Sequence, residues 1–246
     1  MSRPRTVALL VALAASSVAL PAFAKSDAFK LGVGLGGVIG GNFLDKPSDK
    51  TLVMPNGQSV QGSDFYPGFA GMTAGGGLMI DARFISLLGV ELDVFRTSDK
   101  GSGDLTLHSG PSSVKVHMTL GQSAWHVPVL VKLAIPAPIV SPVVFVGPEF
   151  VFPGSPTFKA DPALAQEIKA SADQYTMIAF GAGVEIKLPL PAIDLRIPVQ
   201  LRGGYNPGVS SKLADRITTD SSFQLKTIKS EWKFQAVATL GAELYF

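Results

Sequence analysis

Apolar and polar side chains alternate strictly along the last stretch of the chain. From Glu231 to Phe246 every even-numbered position is apolar, whereas the odd-numbered positions are mostly polar or small. This period of two residues predicts a β-strand with one apolar and one polar face. At about 3.3 Å per residue, the run is longer than the roughly 9–11 tilted residues with which a β-strand crosses a bilayer.

The same alternation recurs in earlier segments, which long polar loops and short turns separate in regular order. The predicted strands lie at about 28–39, 69–83, 90–95, 114–134, 143–152, 175–188, 193–202 and 231–246. The predicted long loops are 40–67, 97–111, 153–174 and 206–229, and the short turns are 85–88, 135–142 and 189–192. Within these segments we expect a short helix over 163–172, a bulge near Gly121 and an irregular register at Pro128.

One face of each strand carries large apolar residues, and the other mixes glycines with charges of both signs. The predicted lumen charge cluster is Arg83, Glu91, Asp93, Lys132, Glu149, Glu185, Arg196, Arg202 and Glu243. An isolated buried ion is prohibitively costly, so these charges need one another as partners. The pattern therefore predicts an all-β fold, an eight-stranded antiparallel up-and-down transmembrane β-barrel with its apolar faces in lipid. Such a barrel is only about wide enough for its own side chains, which predicts a plugged lumen.

Aromatic residues near the predicted strand ends suggest a girdle at the two membrane interfaces. The predicted girdle residues are Phe84, Trp125, Tyr175, Tyr205, Trp232, Tyr245 and Phe246.

The C-terminus resembles the assembly signal of bacterial outer-membrane barrels. Thr239 and Gly241 match its polar and glycine positions, and Leu244 and Phe246 match its third-last and last hydrophobic positions. In that family the signal implies recognition by the barrel-assembly machinery. The segments 125–130, 145–149 and 180–185 also resemble the eight-stranded outer-membrane β-barrel protein family, in the same order along the chain. The resemblance implies an architecture and does not imply a ligand.

Residues 1–24 have the features of a secretory signal peptide. Arg3 and Arg5 precede an apolar run from Val7 to Leu20, and a small-residue cleavage pattern ends at Ala24. We therefore expect export and a mature domain of residues 25–246, located in the bacterial outer membrane. Its short turns are expected in the periplasm and its four long loops outside.

Composition excludes several classes of function. The chain has no cysteine, so disulfides and thiol chemistry are excluded. Its formal net charge of +2 includes two leader arginines, so the mature chain is neutral and offers no basic surface for nucleic acid. The glycines at 32, 34 and 37 match a dinucleotide fingerprint by letters, but they lie inside a predicted strand rather than before a helix.

Residues with catalytic or metal-binding potential form no recognisable motif. His108, His117 and His126 are evenly spaced, but their spacing is not that of a metal site. No motif identifies a nucleophile, and the first candidate pair is His126 with a nearby serine. We therefore expect no enzyme activity, no cofactor and no metal.

The sequence favours a monomeric outer-membrane protein with a structural or surface-interaction role. Its expected partners are outer-membrane lipids and the barrel-assembly machinery, and the ligand of its loops is open. The sequence leaves three alternative functions open. They are a narrow small-solute channel, an outer-membrane lipid-modifying enzyme, and a soluble periplasmic lipocalin-like carrier with an apolar interior.

Overall fold

Eight long strands make up most of the computed structural model, which describes residues 29–48, 52–53, 59–60, 66–84, 87–109, 112–161, 169–191, 193–219 and 225–246. The strands are β1 (Phe29–Leu44), β2 (Phe69–Phe84), β3 (Leu88–Ser109), β4 (Ser112–Ala134), β5 (Val140–Pro153), β6 (Tyr175–Leu190), β7 (Ile193–Tyr205) and β8 (Phe234–Tyr245). The predicted signal peptide, residues 1–24, lies outside the described residues.

The eight strands form a closed ring. Each pairs antiparallel with its neighbours in the chain, and β8 pairs with β1 to complete the barrel. The closing register places Gly36 opposite Gly241 and Phe43 opposite Phe234. Closure leaves no unpaired sheet edge in the wall, as a bilayer requires. The predicted eight-stranded up-and-down barrel is therefore confirmed.

Side-chain orientation follows the predicted parity of the strands. Leu201, Leu240 and Val131 project outward and are 70%, 59% and 53% exposed, whereas Glu91 and Glu243 point inward and are fully buried. An apolar exterior around a charged interior is the inverse of a soluble barrel and the arrangement of a membrane-spanning one. The lipocalin-like alternative required an apolar interior and is therefore wrong.

The second predicted long loop, 97–111, is wrong. β3 and β4 continue as one hairpin far beyond the barrel rim, since β2 stops pairing with β3 at Ser102 and β5 stops pairing with β4 at Ala124. The period of two persists in this stretch, because Leu105, Val116 and Met118 all turn to the same buried side.

Three smaller predictions about local structure also need correction where the structure describes them. The β3–β4 register is constant from Leu88 opposite Leu133 to Ser109 opposite Ser112, so Gly121 makes no bulge. The ladder lacks the pairs of Asp93 with Pro128 and of Val94 with Val127, so Pro128 interrupts the pairing without shifting the register. Most of the predicted helix 163–172 lies outside the described residues, but its end is a strand, Lys169–Ser171. The described residues contain one α-helix, the single turn Leu213–Arg216, and no helix able to cross a membrane.

Ordered structure closes the long-loop end of the barrel, and we call it the cap. It comprises the described residues of 97–120 in the hairpin and of 45–68, 154–174 and 206–233. Strand Thr157–Asp161 extends the edge of β4, and strands Lys169–Ser171, Ile217–Thr219 and Leu225–Lys229 form a small sheet. The apolar core beneath them is Leu44, Tyr66, Phe69, Leu105, Val116, Met118, Leu120, Leu213, Ile228 and Trp232.

The predicted aromatic girdle is only partly correct. Phe84, Tyr205 and Phe246 are exposed on the outer wall, and Trp125 is half-buried there. The remaining three predicted girdle residues, Tyr175, Trp232 and Tyr245, are buried inside the barrel or the cap. For the two strand residues the reason is parity, because Tyr175 and Tyr245 lie on the lumen faces of β6 and β8.

Candidate functional site

The lumen is filled by an ion-pair network centred on Lys132 of β4. Its Nζ contacts Asp81 Oδ2 and Glu91 Oε2, and lies 3.2 Å from Glu185 Oε1. Arg83 Nη2 joins the same group, since it is 3.2 Å from Asp81 Oδ2 and also contacts Glu185 Oε1. Two cations are thus shared among three carboxylates, so each charge has a partner away from water.

A third cation, Arg202 of β7, extends the network along the barrel axis. Its Nη2 is 2.7 Å from Asp93 Oδ2 and 3.3 Å from Glu91 Oε1. The side-chain amide of Gln200 donates to Glu91 Oε2 at 2.9 Å. Glu91 therefore links the Lys132 group to the Arg202 group.

The short-turn end of the lumen carries a more hydrated set of charges. Arg196 donates to both carboxylate oxygens of Asp194 at 3.1 Å, and Lys30 Nζ reaches the same carboxylate at 3.2 Å. The Arg196 guanidinium lies 4.0 Å from the ring centroid of Tyr245, whose hydroxyl donates to Glu243 Oε2 at 2.9 Å. These contacts close the base of the barrel.

At the opposite end of the lumen, a histidine connects the charges to the cap. His126 Nδ1 lies 2.5 Å from Glu149 Oε1, and its Nε2 lies 3.9 Å from Asp99 Oδ2. Asp99 also accepts hydrogen bonds from Thr73 Oγ1 at 2.6 Å and from Trp232 Nε1 at 3.2 Å. Trp232 belongs to the apolar core of the cap, so this junction fixes the cap on the barrel.

The interior leaves almost no free volume at this junction. A cavity of about 10 Å³ lies between Phe95, His126, Glu149 and Arg202. This volume corresponds to about one water molecule. The lumen is therefore packed with side chains at this level.

Buried carboxylates outnumber buried cations within the eight strands. The fully buried acids are Asp81, Glu91, Asp93, Asp99, Glu149, Glu185 and Glu243, and the fully buried bases are Arg83, His126, Lys132 and Arg202. Each base consequently bridges two or more acids. Loss of a single base would therefore enlarge the excess of buried negative charge.

All of the predicted lumen charges point inward, but they do not form a single group. Glu149 pairs with His126 rather than with the Lys132 group, and Glu243 bonds to Tyr245. Sequence reasoning missed Asp81 and Gln200 as members of the network. Both lie two residues before a predicted member on the same strand face, so parity could have identified them.

The four residues of the predicted assembly signal lie on both faces of β8 and at its end. Thr239 and Gly241 face the lumen, where a side chain on Gly241 would meet the sulfur of Met79. Leu244 and Phe246 face outward, and Phe246 is 70% exposed. The backbone amide of Phe246 donates to Leu31 O at 2.9 Å, which extends the closing contact with β1.

The cap contains a cleft of about 470 Å³ beside Tyr66, Arg216 and Lys229. One wall is fixed by Asp45, which accepts from Lys233 Nζ at 2.6 Å and from Arg216 Nη2 at 2.8 Å. Burial raises the pKa of Asp45, but the hydrogen bonds from Lys233 and Arg216 outweigh it, so the pKa lies below its usual value. The contribution of Asp45 to stability is therefore present at neutral pH and is lost as the pH falls through this lowered pKa.

The described residues contain no cluster of His, Cys, Asp and Glu that could hold a metal ion. The His108 side chain lies outside the described part of the structure, and His117 pairs with Asp104 at 2.8 Å. The described hydrogen-bond partner of the His126 ring is the carboxylate of Glu149. A serine nucleophile activated by His126 has no counterpart among these contacts.

The chain is similar in fold to several solved membrane barrels. It matches the N-terminal β-barrel domain of Pseudomonas aeruginosa OprF with 12% identity and a TM-score of 0.34, over 88% of this chain and 97% of that one. It matches Ail, the attachment invasion locus protein of Yersinia pestis, with 12% identity and a TM-score of 0.34, over 89% and 99%. It matches the translocator domain of the autotransporter NalP from Neisseria meningitidis with 8% identity and a TM-score of 0.33, over 98% and 96%.

No family model matches the chain, and neither does any curated protein. At the identities and TM-scores of the structural matches, the likeness carries no information about function.

Proposed function

We propose that this protein is a monomeric outer-membrane barrel with a structural or surface-interaction role, which presents its cap outside the cell. The observation that carries the proposal is an apolar outer wall around a lumen packed with paired charges and closed by the cap. A lumen filled by side chains favours a structural or surface-interaction role over transport through the barrel. The partners in this proposal are the lipids around the wall and whatever the cap surface contacts.

The short turns support the proposed orientation. No charged residue occurs in segments 84–90, 134–143 or 188–193. Leu87, Ile135, Ile139 and Leu190 are all exposed in or beside these turns. In outer-membrane barrels the short turns lie on the periplasmic side and the long loops outside, which supports a periplasmic position for these turns and an external position for the charged cap.

Surface labelling tests this orientation directly, because the chain contains no cysteine. Lys115 is exposed on the cap hairpin, so Lys115→Cys should react with a membrane-impermeant maleimide on intact cells. The matched control is Ala137→Cys in a short turn, which should react only after the envelope is permeabilised. Labelling of Ala137→Cys on intact cells, or recovery of the protein in the soluble periplasmic fraction, would refute the proposal.

Ion conductance distinguishes the proposed structural role from the alternative of a narrow channel. The purified barrel in planar bilayers should show no stepwise ion current, because packed side chains occupy the lumen near Phe95 and Arg202. Reproducible single-channel steps, abolished by a bulky substitution in the lumen, would establish the channel alternative instead.

A lipid-modifying enzyme is the less favoured alternative. It predicts turnover of lipid by the purified barrel that is lost on His126→Ala. We propose that the protein is not an enzyme, since the described contacts of His126 are to carboxylates.

We propose that the C-terminal residue acts in assembly rather than in the stability of the finished barrel. The Phe246 side chain is largely exposed to the surroundings, whereas its backbone amide pairs with β1. Phe246→Ala should therefore lower the amount of barrel inserted in cells several-fold. After refolding in detergent, it should change the free energy of unfolding by less than about 1 kcal/mol. Leu201→Ala, which removes a lipid-facing side chain in mid-wall, is the control and should insert normally.

Equal insertion of Phe246→Ala and the native chain would remove Phe246 from the assembly signal. An equal loss of insertion and of refolded stability would instead make Phe246 a structural residue.

A further inference from the structure

The outer face of β3 changes from apolar to polar and charged residues within one row. Val94 is the last apolar outward residue of this strand, and Arg96, Ser98 and Lys100 follow it on the same face. On β4 the half-buried Trp125 lies opposite Arg96 in the register. On β3 and β4 this row therefore marks the upper edge of the apolar face, whereas on β2 the exposed Met72 lies beyond it. At such an edge a bilayer gives way to its headgroups.

Above this edge, three adjacent strands place cations and hydroxyls side by side. Lys100 of β3 lies opposite Gly121 of β4, which in turn lies opposite Thr157. In the next row, Thr119 of β4 lies opposite Lys159. Neighbouring strands are about 4.8 Å apart, so Lys100 and Lys159 flank Gly121 at a separation of roughly 12 Å.

Gly121 lies at the centre of this surface, between Lys100 and Thr157. The half-buried glycine has no side chain, and a Cβ added there would lie 3.2 Å from Thr157 Oγ1. The Thr157 hydroxyl already donates to Gly121 O at 3.1 Å. The hydroxyls of Ser123 and Thr119, on the same face of β4, can donate hydrogen bonds to an anion.

The cations of this surface are available to an external anion. Lys100 and Lys159 are exposed and have no carboxylate partner among the described residues. Arg96 donates a hydrogen bond to Ser123 Oγ at 2.6 Å, and its guanidinium lies 5.3 Å from the ring centroid of Trp125. The nearest acid farther up β3 is Asp104, which is already paired with Lys115 and His117 at 2.9 Å and 2.8 Å.

We propose that Arg96, Lys100 and Lys159, which we call the basic patch, bind the phosphate groups of anionic lipid headgroups in the external leaflet. This inference rests on the membrane orientation given under Proposed function. The guanidinium and ammonium groups supply charge-assisted hydrogen bonds to phosphate. The hydroxyls beside Gly121 supply further donors to the remaining oxygens.

Position favours a membrane lipid over a soluble anion. The basic patch begins where the apolar wall of Val94 and Trp125 ends, so a headgroup phosphate at this height keeps its acyl chains against that wall. A soluble phosphate would gain nothing from the apolar side of the site. One molecule can thus satisfy both the charge and the apolar surface.

The test measures binding of lipid A, a bisphosphorylated lipid, to the full-length mature barrel in zwitterionic nanodiscs. The native chain is compared with the Lys115→Gln variant and with a triple variant that carries Arg96→Gln, Lys100→Gln and Lys159→Gln. Lys115 is a matched control, because it is an exposed cation on the same hairpin but is paired with Asp104. Each cation near an anionic lipid surface strengthens binding about fivefold, so the triple variant should bind about 100-fold more weakly. The Lys115→Gln variant should bind within about twofold of the native chain.

Two results would overturn the inference. One is an unchanged affinity of the triple variant for lipid A. The other is binding of soluble tripolyphosphate to the native chain as tightly as lipid A, which would make the basic patch a site for soluble polyanions. Failure of the native chain to insert into nanodiscs at all would instead contradict the proposed function.

Discussion

Lys132→Met is expected to lower the free energy of unfolding by about 3–5 kcal/mol. The substitution keeps the volume and removes the charge that Asp81, Glu91 and Glu185 share. Arg83 would remain as a partner for Asp81 and Glu185, but Glu91 would depend on Arg202 and Gln200. Urea titration of the barrel in detergent, followed by heat-modifiable gel mobility, measures the change.

The control for this substitution is Lys115→Met on the cap hairpin. Lys115 also pairs with a carboxylate, but 68% of its side chain is exposed, so the loss should be below about 1 kcal/mol. Adding Glu91→Gln to Lys132→Met should restore part of the stability, because one uncompensated buried charge is then removed. A Lys132→Met barrel as stable as the native chain would contradict the description of the lumen as a closed ion-pair network.

Gly77→Ala is expected to destabilise the barrel by about 3 kcal/mol or more, or to prevent folding. A Cβ at this position would lie 1.8 Å from Val94 O and 2.7 Å from its carbonyl carbon. These are backbone atoms of the paired strand β3, so no side-chain rotation can relieve the overlap. The two strands would have to separate, at the cost of their hydrogen bonds.

Gly37→Ala supplies the matched control. Gly37 lies on the outer face of neighbouring β1, where the nearest atom to an added Cβ would be Gly75 O at an ordinary 3.7 Å. Its effect should stay within about 1 kcal/mol. The comparison uses the same urea titration, and equal effects of the two substitutions would show that Gly77 is not required for close contact between β2 and β3.

Strand parity explains why the barrel could be predicted from the sequence. Because side chains alternate with a period of two, assigning Leu240 to the outer face also assigns Glu243 to the lumen. The same reasoning placed Lys132 and Glu91 inside. It could not predict which charges meet, because Lys132 of β4 reaches Asp81 of β2 and Glu185 of β6 across the interior. Those contacts depend on the stagger of all eight strands.

The cap could not be predicted for a different reason. Its core draws on Leu44, Tyr66, Leu213 and Trp232, which are far apart in the chain and lie in or beside segments of loop-like composition. No local period reveals such a core. The one local signal was in the hairpin, where Val116, Met118 and Leu120 alternate with polar residues, and only the β4 half of it was assigned to a strand.

The most direct test of the inverted barrel is the accessibility of spin labels on single cysteines in reconstituted vesicles. Leu201→Cys, Leu240→Cys and Val131→Cys replace outward residues of three different strands, and Lys115→Cys on the cap provides an aqueous reference. The three wall positions should collide more often with oxygen, which concentrates in lipid, than with a water-soluble nickel chelate, and Lys115→Cys should show the reverse. Greater collision with nickel at the wall positions would place them in water and contradict a barrel whose apolar face meets the membrane.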